Sequence, residues 1–486
     1  MHTYQDLLAV GANEIERGRF CRTAINSFKG TQEYKDAVVG EAYYNRHNLT
    51  IEKYQKFIYT LTGEKMPDLF SANYKLKTTF FRRLVIQQVQ YVLGNGLTLS
   101  DSENKKKLGK DFDFKLQLAA KRAMASGRAF GFWNQDHLEV FSYADTPSQP
   151  GFYPLYCEET SNLKAGIRYW FRRAGDKIVF RCTLFEVDGY TEYIQPGDED
   201  IRVAKPKQRY KSTIKSTDAG GIEETIEENY NDIPIVQLFA NDTHESELVG
   251  IRECIDCYDL IKSGLANDID DLSGFYWILQ NHGGMDDLDL VQFIQKMKTV
   301  RAAVVEDVDD VKTDTPAIPT EARMSMLTLL RKDIYEDFQA LDITALTASA
   351  KTQQELKSSY QAQDNKCADF EYYLLGFCRK ILELAGIADE PSFNWNRIIN
   401  HPEQTNMILT AANYLSDECI IKLLPFLTPE QADAEIEKLH AKEIERFNAP
   451  EEDEIELSKY GQEKKGINSI NPPEEVGDEE TEGGDI

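Results

Sequence analysis

Between Leu248 and Leu279 two ladders of seven-residue spacing run side by side: Leu248, Ile255, Lys262, Ile269, Tyr276 and Ile251, Tyr258, Leu265, Leu272, Leu279. Nine of these ten positions are apolar. Apolar residues recurring near every 3.5 positions mark a helix with one narrow greasy seam. At 1.5 Å per residue the stretch predicts a helix roughly 48 Å long. A helix of that length with so narrow a stripe packs lengthwise against neighbouring helices and does not fit inside a small globule. Leu248, Ile251, Ile255, Tyr258, Leu265, Ile269 and Leu272 are its candidate packing residues.

The same stretch is rich in carboxylates, which raises a second reading. Glu253, Asp256, Asp270 and Asp271 lie away from the stripe, and Asp259 and Asp268 flank it. On a helix they project in several directions, so one ion cannot collect them. A calcium loop also needs non-helical backbone and a glycine at its turn. The expectation is a solvated face, with no metal and no catalytic group, although carboxylates from neighbouring subunits could still meet around an ion.

The rest of the chain surrounds this helix with different periods. Leu76, Phe80, Leu84, Val85, Val89 and Val92 recur at helical spacing and stop at Gly94-Asn95-Gly96, and a second amphipathic helix is predicted from about Asp113 to Ser126. Tyr43 to Ile51 reads as an irregular aromatic segment. From His137 to about Ala240 the period becomes two, broken at Ala174-Gly175-Asp176 and at Asp188-Gly189, which predicts an antiparallel meander closed by "IPIVQLFAN". After Gln280 comes a small α/β insertion of about forty residues, with strands at "RAAVVED" and "VKTDTPAIP". A helix then starts near Thr320, a small-residue loop "DITALTASA" follows, and another long helix is predicted from about Lys351 to Leu384. Helices continue beyond Pro402, the last begun by Thr428-Pro429-Glu430-Gln431.

Charge and motifs exclude more than they identify. Residues 451–486 hold thirteen acids and three Lys, so this tail carries −10 of the net −27 and the body −17. Such a chain cannot neutralise phosphates globally, which argues against tight nucleic-acid binding but not against a surface that DNA must pass without sticking. The tail's composition predicts disorder. No apolar run reaches the ~20 residues of a membrane span, and the N-terminus lacks a signal-peptide core. Eight scattered Cys, with one C-x-x-C at Cys254 and Cys257, suit a reduced compartment. No P-loop, H-E-x-x-H or G-x-S-x-G occurs, and the seven His are dispersed. These features favour an architectural protein. A metal-dependent nucleic-acid enzyme using the Asp256–Asp271 carboxylates, or a coiled-coil scaffold without a DNA role, stand as alternatives.

The order of "NDIPIVQLFAND", "ELVGIRECIDCYDLIKSGLANDIDDL", a short α/β insertion, and "LLRKDIYEDFQALD" before a small-residue loop and long helix resembles the portal proteins of tailed bacteriophages. Upstream, "FFRRLVIQQVQYVLGNGL" is similar to the helix before the β-rich wing in the long-tailed branch of that family. The resemblance spans roughly residues 40 to 400. It implies an α+β, mostly helical fold: a wing of residues 1–246, a first stem helix (247–280), a clip (281–319), a second stem helix (320–340), a tunnel loop (341–351), a long wing helix (352–399), a crown (400–450) and the acidic tail (451–486). It implies a homo-oligomeric ring, usually of twelve, at one capsid vertex of the virion, assembled in the host cytoplasm, with double-stranded DNA passing through it for packaging and ejection. The implied partners are the terminase large subunit, then a head-completion or adaptor protein, with major capsid and scaffolding proteins. No cofactor is implied. Asp342, Ile343, Thr344, Ala345, Leu346, Thr347, Ala348, Ser349, Ala350 and Lys351 would line the channel. Asp286, Asp287, Lys296, Lys298 and Arg301 would serve docking at the clip.

Overall fold

The computed structural model describes residues 2–59, 64–68, 71–146, 149–216, 223–271, 276–279, 311–314, 320–344, 353–396, 408–412, 414–424, 427 and 429–448. The chain divides into two compact units, residues 1–397 and 398–486.

The first unit opens with four helices: α1 (Tyr4–Ala9), α2 (Glu14–Lys29), α3 (Gln32–Tyr44) and α4 (Leu49–Lys53). Each starts where a short polar side chain can accept from the free N–H groups of the first turn; Asn13 does this for Ile15 and Asn48 for Thr50 and Ile51. The segment from Tyr43 to Ile51, expected to be irregular, is therefore the end of one helix and the capped start of the next. A small hairpin of β1 (Phe57–Tyr59) and β2 (Lys65–Pro67) precedes α5 (Phe80–Leu93). Phe80, Leu84, Val85, Val89 and Val92 are buried on α5 as their spacing predicts. Leu76 is not on that helix; it lies in an irregular segment before it and is partly exposed. Next come β3 (Leu97–Thr98), α6 (Ser102–Lys107) and α7 (Phe112–Ser126).

The β-rich region is one eight-stranded sheet. Its strands are β4 (Arg128–Asn134), β5 (His137–Ser142), β6 (Gly151–Tyr156), β7 (Leu163–Ala174), β8 (Lys177–Glu186), β9 (Gly189–Pro196), β10 (Arg202–Gln208) and, beyond a separate hairpin of β11 (Lys211–Ser216) with β12 (Glu223–Glu228), β13 (Ile235–Phe239). The order is β10-β9-β8-β7-β6-β5-β4-β13. Gly175 (φ +62°) and Gly189 (φ +136°) turn the two hairpins whose positions the sequence marks. The meander is antiparallel except where β6 meets β5: one parallel pairing, Ser142 with Gly151, joins them. The sheet also rolls. Phe132 on β4 and Phe185 on β8 sit four strands apart, about 19 Å in a flat sheet, yet their rings lie 5.2 Å apart. Phe130, Phe141 and Phe152 fill the same fold of the sheet.

Helices cover the other side. Phe28 of α2 packs on Tyr143 and Tyr153. α3 approaches α7 at Gly40, where a Cβ would fall 1.8 Å from the Ala125 carbonyl oxygen, so only glycine fits. Beside it the buried Glu41 pairs with Arg122 and accepts from Ser142 Oγ at 3.0 Å, tying α3, α7 and β5 together.

Next come α8 (Arg252–Asp271), β14 (Tyr276–Leu279) paired antiparallel with β15 (Val311–Asp314), and α9 (Thr320–Asp337). The 33-residue α10 (Gln353–Ala385) and β16 (Ser392–Phe393), which pairs with β3, follow. The second unit contains α11 (Asp417–Leu423) and α12 (Pro429–Asn448), joined by His440 and Glu418 at 2.7 Å. Among the described residues no helix is long and apolar enough to cross a membrane. Residues 451–486, expected to be a disordered tail, lie outside the described residues.

Candidate functional site: the paired long helices and the strap beside them

The predicted helix is shorter than its apolar ladders. It spans 20 residues, Arg252–Asp271, about 30 Å. Tyr276 and Leu279, the last rungs, belong to β14. An all-apolar run of five, Phe275 to Leu279, satisfies a helical ladder and a strand equally, and pairing with β15 selects the strand.

The ladder is also buried unevenly. Leu248, Ile251 and Ile255 are buried, and Tyr258 packs edge-on to Phe80 at 5.1 Å. Further along, Leu265 is only half-buried and Ile269 is 57% exposed. Leu272 lies outside the described residues. α9 runs beside α8 and is tied to it by an ion pair of Arg323 with Asp268. It too leaves apolar side chains bare, Met324 and Leu329 among them.

Asp259 does not lie on a solvated face, and here the sequence-based expectation is corrected, whereas Glu253 and Asp270 are exposed as expected. Asp259 is fully buried. It accepts from the Thr78 backbone N–H at 3.0 Å and from Asn48 Nδ2 at 2.8 Å. One turn on, Ser263 Oγ accepts from the Leu76 N–H at 3.0 Å, and one turn further Asn267 Oδ1 accepts from the Tyr74 N–H at 2.6 Å. Both are also buried. Three side chains at i, i+4 and i+8 thus hold three alternate N–H groups of an irregular segment, residues 72–79, that runs antiparallel to the helix. The spacings agree physically: four helical residues advance about 6.0 Å and two extended residues about 6.6 Å. Burial raises the Asp259 pKa, opposed by the hydrogen bonds from Thr78 and Asn48.

Asp256, one turn before Asp259, is similarly engaged. Asp256 accepts from Tyr43 Oη and, at 2.7 Å, from Thr50 Oγ1. Burial first, then the bond to Asp256, pushes the Tyr43 pKa up to about 12. Among the described residues no cluster of three or more His, Cys, Asp or Glu is placed to hold a metal ion. Cys254 and Cys257 are free thiols on α8.

After α9 the chain makes a defined corner. Gln339 adopts φ +59°, and the Ala340 N–H reaches back to the Tyr335 carbonyl at 2.9 Å. Leu341 is buried. Asp342 Oδ1 then accepts from the Thr344 N–H at 3.0 Å, Thr344 Oγ1 at 2.8 Å and Arg331 at 3.1 Å. Of the residues expected to line a channel, Asp342, Ile343 and Thr344 are therefore placed, and Ala345, Leu346, Thr347, Ala348, Ser349, Ala350 and Lys351 lie outside the described residues. So do Asp286, Asp287, Lys296, Lys298 and Arg301, the expected docking residues. The strap and the Arg331–Asp342 contact were not visible in sequence, because each joins residues distant from one another through backbone groups or loop geometry.

What the site defines is a structural frame: two long helices, one stitched to the body by buried polar side chains, both leaving apolar groups uncovered. The family model "Phage portal protein, SPP1 Gp6-like" matches residues 29–456, and the chain belongs to that family. It is similar to the portal protein of Clostridium phage phiCD119, 24% identical over 429 residues, covering 82% of this chain and 90% of the relative. It is also similar to the portal protein of Bacillus phage SPP1, 22% identical over 313 residues, covering 62% of this chain and 60% of that protein.

Proposed function

We propose that this portal-family chain assembles into a ring, of twelve subunits, at one capsid vertex, and that double-stranded DNA passes through its axis during packaging and ejection. In this reading α8 and α9 are the stem helices, residues 281–319 the clip that receives the terminase large subunit and later a head-completion or adaptor protein, 341–351 the tunnel loop and 400–450 the crown. The body outward of the stem is the wing. Major capsid and scaffolding proteins would surround the ring.

The observation that carries the reading is the uneven burial of one apolar stripe within a chain of this family. Where Leu248, Ile251 and Ile255 meet their own subunit they are covered; toward Leu265 and Ile269 the cover runs out. Exposed aliphatic surface on both paired helices is surface that a neighbouring stem would bury. The acidic character of the chain suits a channel, since each neutralised phosphate would release counterions and hold the DNA in place.

Leu265→Asp tests this. Placing a charge at a seam between subunits costs about 3 kcal/mol per copy. Native mass measurement should show rings giving way to smaller species, with each subunit still folded by circular dichroism. Intact rings of the variant would mean that this part of α8 does not form the subunit seam.

A further inference from the structure

The corner after α9 is held from three sides. Lys366 of α10 donates to the Phe338 carbonyl at 2.9 Å, and Gln87 of α5 donates to the Leu341 carbonyl at 2.9 Å. Arg331, two turns back on α9, reaches Asp342 at 3.1 Å and Thr344 Oγ1 at 2.6 Å. The first two contacts fix the path of the backbone. The third grips Asp342 and Thr344, from which the chain departs toward 345. The corner also contains a non-glycine residue at positive φ, Gln339, a conformation that persists when its surroundings over-determine it. Asp342 caps the turn at Thr344 by itself, so the guanidinium is not needed to form that turn. What Arg331 adds is a link between the turn and the helix, through charge-assisted bonds to two side chains at once.

We propose that Arg331 is a positioning residue that locks residues 339–344 to α9 as one rigid elbow, and so fixes the direction in which the chain leaves the elbow. This rests on the reading of 341–351 as the loop that lines the channel. With the elbow locked, displacement of α9 is transmitted to residue 344. With it unlocked, α9 and the turn at 342–344 move independently.

The test uses full-length assembled protein and amide hydrogen exchange followed by mass spectrometry. Arg331→Met should raise exchange in residues 340–344 about tenfold, while exchange over 325–335, ring mass and thermal midpoint stay unchanged. Arg331→Lys, which keeps the charge but not the fork, should recover part of the protection. Asp342→Asn keeps a competent cap but removes the carboxylate; it should match Arg331→Met, and the double variant should be no worse than either single change. Unchanged exchange at 340–344 in Arg331→Met, or an equal rise along all of α9, overturns the proposal.

A packaging assay with heads carrying each variant separates this proposal from the reading beneath it. Arg331→Met should slow DNA packaging, and Ala348→Trp, a bulky residue in the loop, should arrest it. If Ala348→Trp arrests packaging while Arg331→Met packages normally despite a loosened elbow, the aiming role of Arg331 is wrong and the loop assignment stands. If Ala348→Trp packages normally, the loop assignment falls, and the exchange result alone decides whether Arg331 locks the elbow.

Discussion

Asp259→Ala would remove the deepest rung between α8 and the strap. The carboxylate accepts from the Thr78 N–H and from Asn48 Nδ2, and Asn48 cannot turn its amide to compensate. Its oxygen is committed to the N–H groups of Thr50 and Ile51. Both donors are therefore orphaned, one of them on a side chain that is itself buried. Each buried orphan costs about 1–3 kcal/mol. Part of this is offset because a buried carboxylate, with its pKa raised by burial, no longer has to be desolvated. The net expectation is about 2–4 kcal/mol for opening the strap, an increase of about 30- to 700-fold in the open population. Hydrogen exchange at Thr78 and Leu76 reads this directly. Protection at Ile25 and Phe28, buried in α2, serves as the internal reference, because local opening should leave it unchanged. Asp259→Asn should fall between, since one oxygen is kept and the other is replaced by a donor facing a donor. Wild-type protection at Thr78 in Asp259→Ala would show that the polar ladder is incidental and that packing alone holds the strap.

Two further outcomes concern the approach of α3 to α7 and the elbow after α9. Gly40→Ala would force a methyl group onto the Ala125 carbonyl oxygen at 1.8 Å. The expected cost is about 3 kcal/mol or more, read as a lower thermal midpoint, and a midpoint within error of wild type would contradict the close approach of α3 to α7. The Arg331–Asp342 contact should depend on pH. Burial raises the Asp342 pKa, but the bonds from Thr344 and Arg331 outweigh it and the net shift is downward. A depressed folded pKa contributes stability that is complete above the unfolded value, about 3.9, and is lost as pH falls through the folded value. The elbow amides should lose protection relative to those of α9 only below about pH 4, and a loss beginning near neutrality would exclude this carboxylate as the cause.

Much of the architecture is local enough to be read from the chain. The apolar spacing of Phe80, Leu84, Val85, Val89 and Val92 places α5, and the alternation from His137 with Gly175 and Gly189 places the sheet's hairpins. The seam leading into α8 is legible too, because Leu248, Ile251 and Ile255 are all buried as their spacing predicts. These signals share a cause: the period of the backbone and the insolubility of aliphatic groups act over a few residues, whatever the rest of the molecule does.

The errors have a common cause as well. Reading α8 through to Leu279 fails because Phe275 to Leu279 is apolar at every position, so nothing local tells helix from strand. The deciding partner, Val311 to Asp314, is more than thirty residues away. Placing Asp259 in water fails because a carboxylate is ordinarily exposed, and nothing around position 259 announces that Thr78 and Asn48 will meet it there. The rolled sheet is invisible for the same reason, since Phe132 and Phe185 touch only once the intervening strands have curled. Sequence alone therefore determined α5, the hairpins turned at Gly175 and Gly189, the buried start of the apolar seam and the resemblance to portal proteins. The tertiary structure decided which polar groups are buried, which strand ends a helical pattern and how the corner at Asp342 is held. Hydrophobic periodicity is carried by neighbours in the chain, whereas an unpaired backbone N–H must find its acceptor wherever the folded molecule brings one.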